Sequence, residues 1–282
     1  MRTLYMLSIV ALVGPASAQP AFAPPDFSGL WKRTYQISET FDPPPSGPGP
    51  VEQDPRYPAV NHDGVPRHPL TDEERKRVIQ FTQNWVPDVN SPILKPKTRE
   101  ALQKIAEQEL AGFPHPELQT LCMLPGTPSV LNLFDDMKIL QTPMEVLFLY
   151  ARDHHVRHVY LNQPHSNNPG HTWWGESVGH YEGDTLVVDT VGENDKTQID
   201  RFGTPHSDEI HVVERYRRSA DGRTIEVLIT VEDPIAFTTA WSARAHYVPA
   251  GDNFDEIVCA ESERISWPGR ALAFPVDNTP DF

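Results

Sequence analysis

The chain has 282 residues and a formal net charge of −15, from 39 acidic against 24 basic side chains. That balance leaves no basic stripe of the kind a nucleic-acid binder needs. Beyond the N-terminus no segment approaches the roughly twenty consecutive apolar residues of a membrane helix, so integral membrane contact through helices is not expected.

The first residues, MRTLYMLSIVALVGPASA, carry an early Arg2, an apolar stretch and small residues at Ala16 and Ala18. This pattern predicts a signal peptide over 1–18, cleaved after Ala18, and a soluble periplasmic or secreted product. Residues 19–69 are Pro-rich, as in FDPPPSGPGPVEQDPRYP, and predict a surface wrap rather than a self-folding unit. Inside the wrap, PDFSGLWKRTY reads as the start of a first strand. A helical segment is predicted over 70–129. LTDEERKRVIQFTQNW opens on the capping box Thr71 and Glu74, and KPKTREALQKIAEQELAGF gives a second helix stopped by Gly112 and Pro114.

From residue 130 to 282 the period becomes two. MKILQT, EVLFLYA, HHVRHVYLN, GESVGHYE, DTLVVDTVG, EIHVVERYRR, TIEVLITVED, TAWSARAHYVP and FDEIVCAESE all read as strands. Turn signals at Gly183-Asp184, Asp221-Gly222 and Gly251-Asp252 separate some of them. Short turns with no intervening helix predict an antiparallel meander, and closure into a barrel is the simplest way to remove its edges. The expected fold is therefore mainly β: an antiparallel β-barrel with a few helices, one domain together with residues 26–129. Two cysteines in an exported chain, Cys122 and Cys259, predict one disulfide, and the lack of CxxC spacing speaks against a thiolate zinc site.

DFSGLW resembles the Gly-x-Trp opening of lipocalins and other calycin barrels, where the Trp closes the base, and the resemblance implies a calycin-like barrel. GHYEGDTLVVDTVGEND, PHSDEIHVVERYRR and TVEDPIAFTTAWSARAHY are similar to stretches of a group of uncharacterised secreted bacterial proteins. That similarity spans roughly Cys122 to Glu263 and implies no activity.

GHYEGDTLVVDTVG holds the densest chemistry. Gly183-Asp184 predicts a two-residue hairpin turn with solvated Glu182 and Asp184 at its tip. Asp189 alternates with Val187 and Val191, so it needs a partner, either an arginine of a neighbouring strand or a functional set with His180. Seven of the twelve histidines fall between His154 and His206. His206 and Asp208, with His211 just beyond, are candidates to complete an acid/base set. Glu214 follows Ile210 and Val212 on one face, pointing either into a cavity or to the place where the strand leaves the core. Trp31, Tyr160, His165, His171, Trp173 and Trp241 are candidates to line a pocket for an apolar or aromatic molecule.

HxH and HExxH spacings are absent, and so are G-x-x-x-x-G-K and G-x-G-x-x-G. No metal, cofactor or nucleotide is expected. The residues predict an exported barrel that binds a small apolar or aromatic molecule in its mouth. The alternative is a cofactor-free lyase or hydrolase in the same pocket, with His180, Asp189, His206, Asp208 and Glu214 as its proton-transfer set. A structural envelope protein is the third possibility, favoured by a barrel filled with side chains.

Overall fold

A computed structural model describes residues 24–34, 40–57, 85–111, 115, 118–251 and 253–259. The predicted signal peptide, nearly all of the helix predicted from Leu70 and the chain beyond Cys259 lie outside them. Nine strands close into one barrel in chain order. They are β1 Gly29–Thr34, β2 Met137–Gln141, β3 Glu145–Tyr150, β4 Val156–Leu161, β5 Glu176–Glu182, β6 Thr185–Val191, β7 His211–Arg218, β8 Ile225–Glu232 and β9 Trp241–Pro249.

The alternation is read directly by the barrel. Ile225, Val227, Ile229 and Val231 of β8 are fully buried, while Glu226 and Glu232 face outward. Val146, Phe148 and Tyr150 of β3 and Trp241, Ala243, Ala245 and Tyr247 of β9 fill the same interior. One end is plugged where Trp241 meets Phe41 and Phe237, with ring centroids 6.3 and 5.8 Å away. Elsewhere Trp31 Nε1 donates to the Phe27 carbonyl at 2.9 Å, and the Arg218 guanidinium lies over its ring.

The expectation of an antiparallel sheet needs a correction. Eight neighbouring pairs are antiparallel, including β9 with β1, but β4 and β5 run parallel. The cause is parity. Around a closed barrel strand direction must return to its starting sense, which alternating neighbours achieve only with an even number of strands. The ten strands read from the sequence would alternate throughout. Among the described residues the tenth, FDEIVCAESE, makes only an isolated bridge of Ile257 with Arg152. Nine strands then require a parallel pair, and a parallel pair requires a crossover of a dozen or more residues. Residues 162–175 supply it without a helix.

One α-helix is seen among the described residues, α1 Pro96–Leu110. Proline suits its first position, because that N–H has no helical partner. Thr98, Leu102, Ala106 and Glu109 form its buried stripe, and Thr98 Oγ1 donates to the Ala236 carbonyl at 2.9 Å. This docks α1 on the connection between β8 and β9. Residues 118–121 and 129–132 form only short 3-10 turns, so α1 is the one α-helix among the described residues of the segment predicted as helical.

The predicted disulfide is present, joining Cys122 to Cys259 with Cα atoms 5.5 Å apart. It ties the segment before β2 to the segment after β9 and closes a loop of sequence separation 137. Replacing both cysteines by serine is expected to lower the unfolding free energy in urea by about 2–5 kcal/mol. An unchanged denaturation midpoint would contradict this.

Candidate functional site

The β5–β6 hairpin has the register that the turn signal predicts. Glu182 opposes Thr185, His180 opposes Val187 and Val178 opposes Asp189. Gly183 takes a φ of 59°, the left-handed region that its turn position demands. The tip is exposed but paired: Glu182 meets Arg215 and Asp184 meets Arg217, the latter at 3.1 Å. His180 and Asp189 do share a face, and it is the outer face of the barrel. They are not joined, because His180 Nε2 stands 3.0 Å from Glu182 Oε1.

Asp189 instead takes two other histidines. His165 Nε2 and His211 Nε2 lie 3.0 and 2.9 Å from the same oxygen, Asp189 Oδ1. His165 Nδ1 reaches Glu176 Oε1 at 3.1 Å, and His211 Nδ1 faces Glu232 Oε2 at 3.8 Å. The result is an alternating row, Glu176–His165–Asp189–His211–Glu232, running from the crossover over β5, β6, β7 and β8. The hydrogen bond to Asp189 raises the His211 pKa, and hydrogen bonds from His211 and His165 hold Asp189 below its ordinary value. The row is half-exposed.

His206 and Asp208 do not join it. His206 is buried, its Nε2 is 2.6 Å from Thr197 Oγ1 and its Nδ1 is 2.8 Å from the Ser207 carbonyl. Burial lowers its pKa. Thr197 Oγ1 also donates to Glu193 Oε2 at 3.3 Å, and the Thr127 N–H donates to Glu193 Oε1 at 2.6 Å. Despite those donors, burial pushes Glu193 up to about 8. Asp208 is exposed, 4.0 Å from His171 Nε2 on the crossover.

Glu214 points into the barrel, and its partner is Arg157 of β4. Nη1 donates to Glu214 Oε1 at 3.0 Å, and Nη2 lies 2.9 Å from Oε2. Arg157 also donates to Ser177 Oγ and Thr190 Oγ1, at 3.2 and 2.8 Å. Burial works against the guanidinium charge, yet Glu214 and the neighbouring Tyr216 and Tyr150 leave its pKa above the ordinary value. The hydroxyls of Tyr150 and Tyr216 lie in the same interior, and burial pushes both phenols upward. Sequence reasoning missed Arg157, although its alternation with Val159 and Leu161 marked it as inward-facing.

The aromatic candidates are dispersed. Trp31 and Trp241 belong to the core. Tyr160 is on the outer face of β4, stacked with His158 at 6.0 Å. Trp173 is half-buried at the end of the crossover, and its neighbour Trp174 stacks on Tyr150 at 5.8 Å. A groove of about 410 Å³ lies where the start of β1 meets the end of β9. Leu30, Trp31, Pro249 and Phe254 give it an apolar wall, and Lys138 and Arg218 add two cations. Among the described residues no group of three or more His, Cys, Asp or Glu is arranged to hold a metal. Comparison with known proteins finds no matching family, curated relative or solved structure.

Glu193 yields a pH prediction. Its folded pKa is raised above that of the unfolded chain, so its stabilising effect is complete below about pH 4.3 and is lost as pH rises through about 8. The unfolding free energy of Glu193→Gln should fall less between these limits than that of the natural protein. Parallel curves in chemical denaturation would contradict a buried acid at this position. For the interior pair, Arg157→Met alone should cost about 3–5 kcal/mol, since it strands the Glu214 carboxylate. Arg157→Met with Glu214→Leu should recover most of that loss, and a double variant no more stable than the single one would contradict the pairing.

Proposed function

We propose that this protein is an exported, calycin-like barrel that binds a small apolar or aromatic molecule, with its ligand site on the wall instead of in the lumen. The carrying observation is the groove of about 410 Å³ between the start of β1 and the end of β9. Its volume falls in the range of small-molecule sites, and its lining has their usual composition, mostly apolar with a few polar groups. The lumen offers less, because Phe148, Tyr216, Met137, Leu186 and their neighbours occupy it. Lys138 and Arg218 favour a ligand carrying an acidic group on an aromatic or aliphatic body. The disulfide suits an oxidising compartment, in keeping with export.

The acid/base alternative has weaker support. A general base needs a ring nitrogen free to take a proton from substrate. In the Asp189 row all four nitrogens of His165 and His211 face carboxylate oxygens, and both nitrogens of His206 are hydrogen-bonded.

Anilinonaphthalene sulfonate, an aromatic anion, is a suitable probe. It should bind saturably with one site per chain, read by its fluorescence. Phe254→Ala and Lys138→Glu should each weaken binding about tenfold, the effect of about 1.4 kcal/mol. Absence of saturable binding, or variants that bind as the natural protein does, would overturn the assignment.

A further inference from the structure

The two cations of the groove between β1 and β9 are not equivalent. The chain carries 39 acidic against 24 basic side chains, so carboxylates are plentiful. Of the six arginines on the described strands, five stand within 4.0 Å of one. On β7, Arg215 has Glu182 and Arg217 has Asp184. Arg218, the next residue, has no carboxylate partner among the described residues. Its Nε donates to the Gly222 carbonyl at 3.0 Å and its Nη1 to the Asp26 carbonyl at 2.6 Å. The Trp31 ring lies 5.3 Å from its Cζ. We infer that Arg218 is the residue by which the groove selects an acidic ligand over its neutral counterpart, an assignment that rests on the groove reading above.

A guanidinium presents five N–H donors in a planar fork. Arg218 spends one on each carbonyl, so a hydrogen on Nη1 and both on Nη2 have no acceptor among the described residues. The two carbonyls and the face of Trp31 already fix the plane of the fork, so an anion that binds it costs little further side-chain freedom. Gly222, at a φ of 70° in the turn after β7, leaves Nη2 uncovered, since a Cβ there would stand 3.5 Å from it.

Lys138 differs in kind. It stands in register with Leu30 of β1 and Leu149 of β3, and its ammonium has no hydrogen bond or ion pair among the described residues. A four-carbon stem leaves it a flexible, strongly hydrated point charge. Such a charge draws an anion in from a distance and is screened by salt, whereas a fixed fork discriminates at contact.

Leu30, Pro249 and Phe254 give the groove its apolar wall. A ligand with its acid on Arg218 and its body along this wall satisfies both. A neutral ligand of the same shape would cover a half-buried guanidinium and offer its N–H groups no charged acceptor. The lost charge-assisted hydrogen bond corresponds to an affinity difference of about ten- to a hundredfold. The class selected is an organic carboxylate or sulfonate on an apolar body.

A matched pair of fluorescent probes tests the selection. Anilinonaphthalene sulfonate and phenylnaphthylamine share their aromatic units, and only the first carries an anion. The natural protein should bind the sulfonate about ten- to a hundredfold more tightly than the neutral probe. Arg218→Met, which keeps an apolar contact with Trp31, should weaken the sulfonate about tenfold or more and leave the neutral probe within about twofold. Arg218→Lys keeps the charge but not the fork, and should also lose most of the preference, which keeps the test open if Arg218→Met does not fold. Lys138→Met should weaken the sulfonate less than about threefold. Phe254→Ala should weaken both probes alike and leave their ratio unchanged. Equal affinity of the natural protein for both probes, an Arg218→Met that weakens both alike, or a Lys138→Met that costs the sulfonate as much as Arg218→Met would overturn selection by Arg218 and leave the groove in place. Failure of both probes to bind saturably would overturn the groove reading and the selection together.

Discussion

The structure depends on a counting constraint. A closed barrel of nine strands cannot alternate direction throughout, so one neighbouring pair must be parallel. The parallel pair falls at β4–β5, and the chain between them has to travel the length of a strand before entering β5. Fourteen residues can span at most about 46–50 Å, comfortably more than the roughly 20 Å of a six-residue strand. The surplus becomes a segment that lays His165 over the outer face of β5 and β6 and brings Trp174 onto the interior ring of Tyr150. His165, His171, Trp173 and Trp174 all ride on it, so three of the residues read as lining a ligand pocket belong to the crossover that parity demands.

The constraint also sorts the polar groups by side. Strand alternation sends Arg157, Ser177, Thr190 and Glu214 inward, where they form one buried network around an ion pair. It sends Asp189, His211, Glu176 and Glu232 outward, where Asp189 and Glu176 meet His165 of the crossover and His211 and Glu232 extend the row. Neighbouring residues on one strand thus serve two different environments. Thr190 and Asp189 are adjacent, yet one hydrogen-bonds a buried guanidinium and the other binds two half-exposed imidazoles.

Much of the barrel was legible because period two is a local property. The apolar face of β8, the β5–β6 register and the Gly183 turn follow from residues within a few positions of one another. What escaped was non-local. Alternation places Asp189 on a face but cannot say which histidine the crossover lays over it, and an arginine was an equal candidate. Likewise Glu214 showed its direction only through Arg157, which is 57 residues away in the chain. The antiparallel expectation failed through a single strand: FDEIVCAESE has strand-like residues, but the described part of it, tied by the Cys259 disulfide, forms one isolated bridge. One strand fewer changes the parity of the whole barrel.

The direction of β5 against β4 is therefore the point on which the account turns. Backbone nuclear Overhauser contacts between these strands measure it directly. Parallel pairing predicts cross-strand contacts that advance together, Val159 with Ser177, Tyr160 with Val178 and Leu161 with Gly179. Contacts that run in opposite order, with Val159 against Gly179 and Leu161 against Ser177, would contradict the parity account and the crossover built on it.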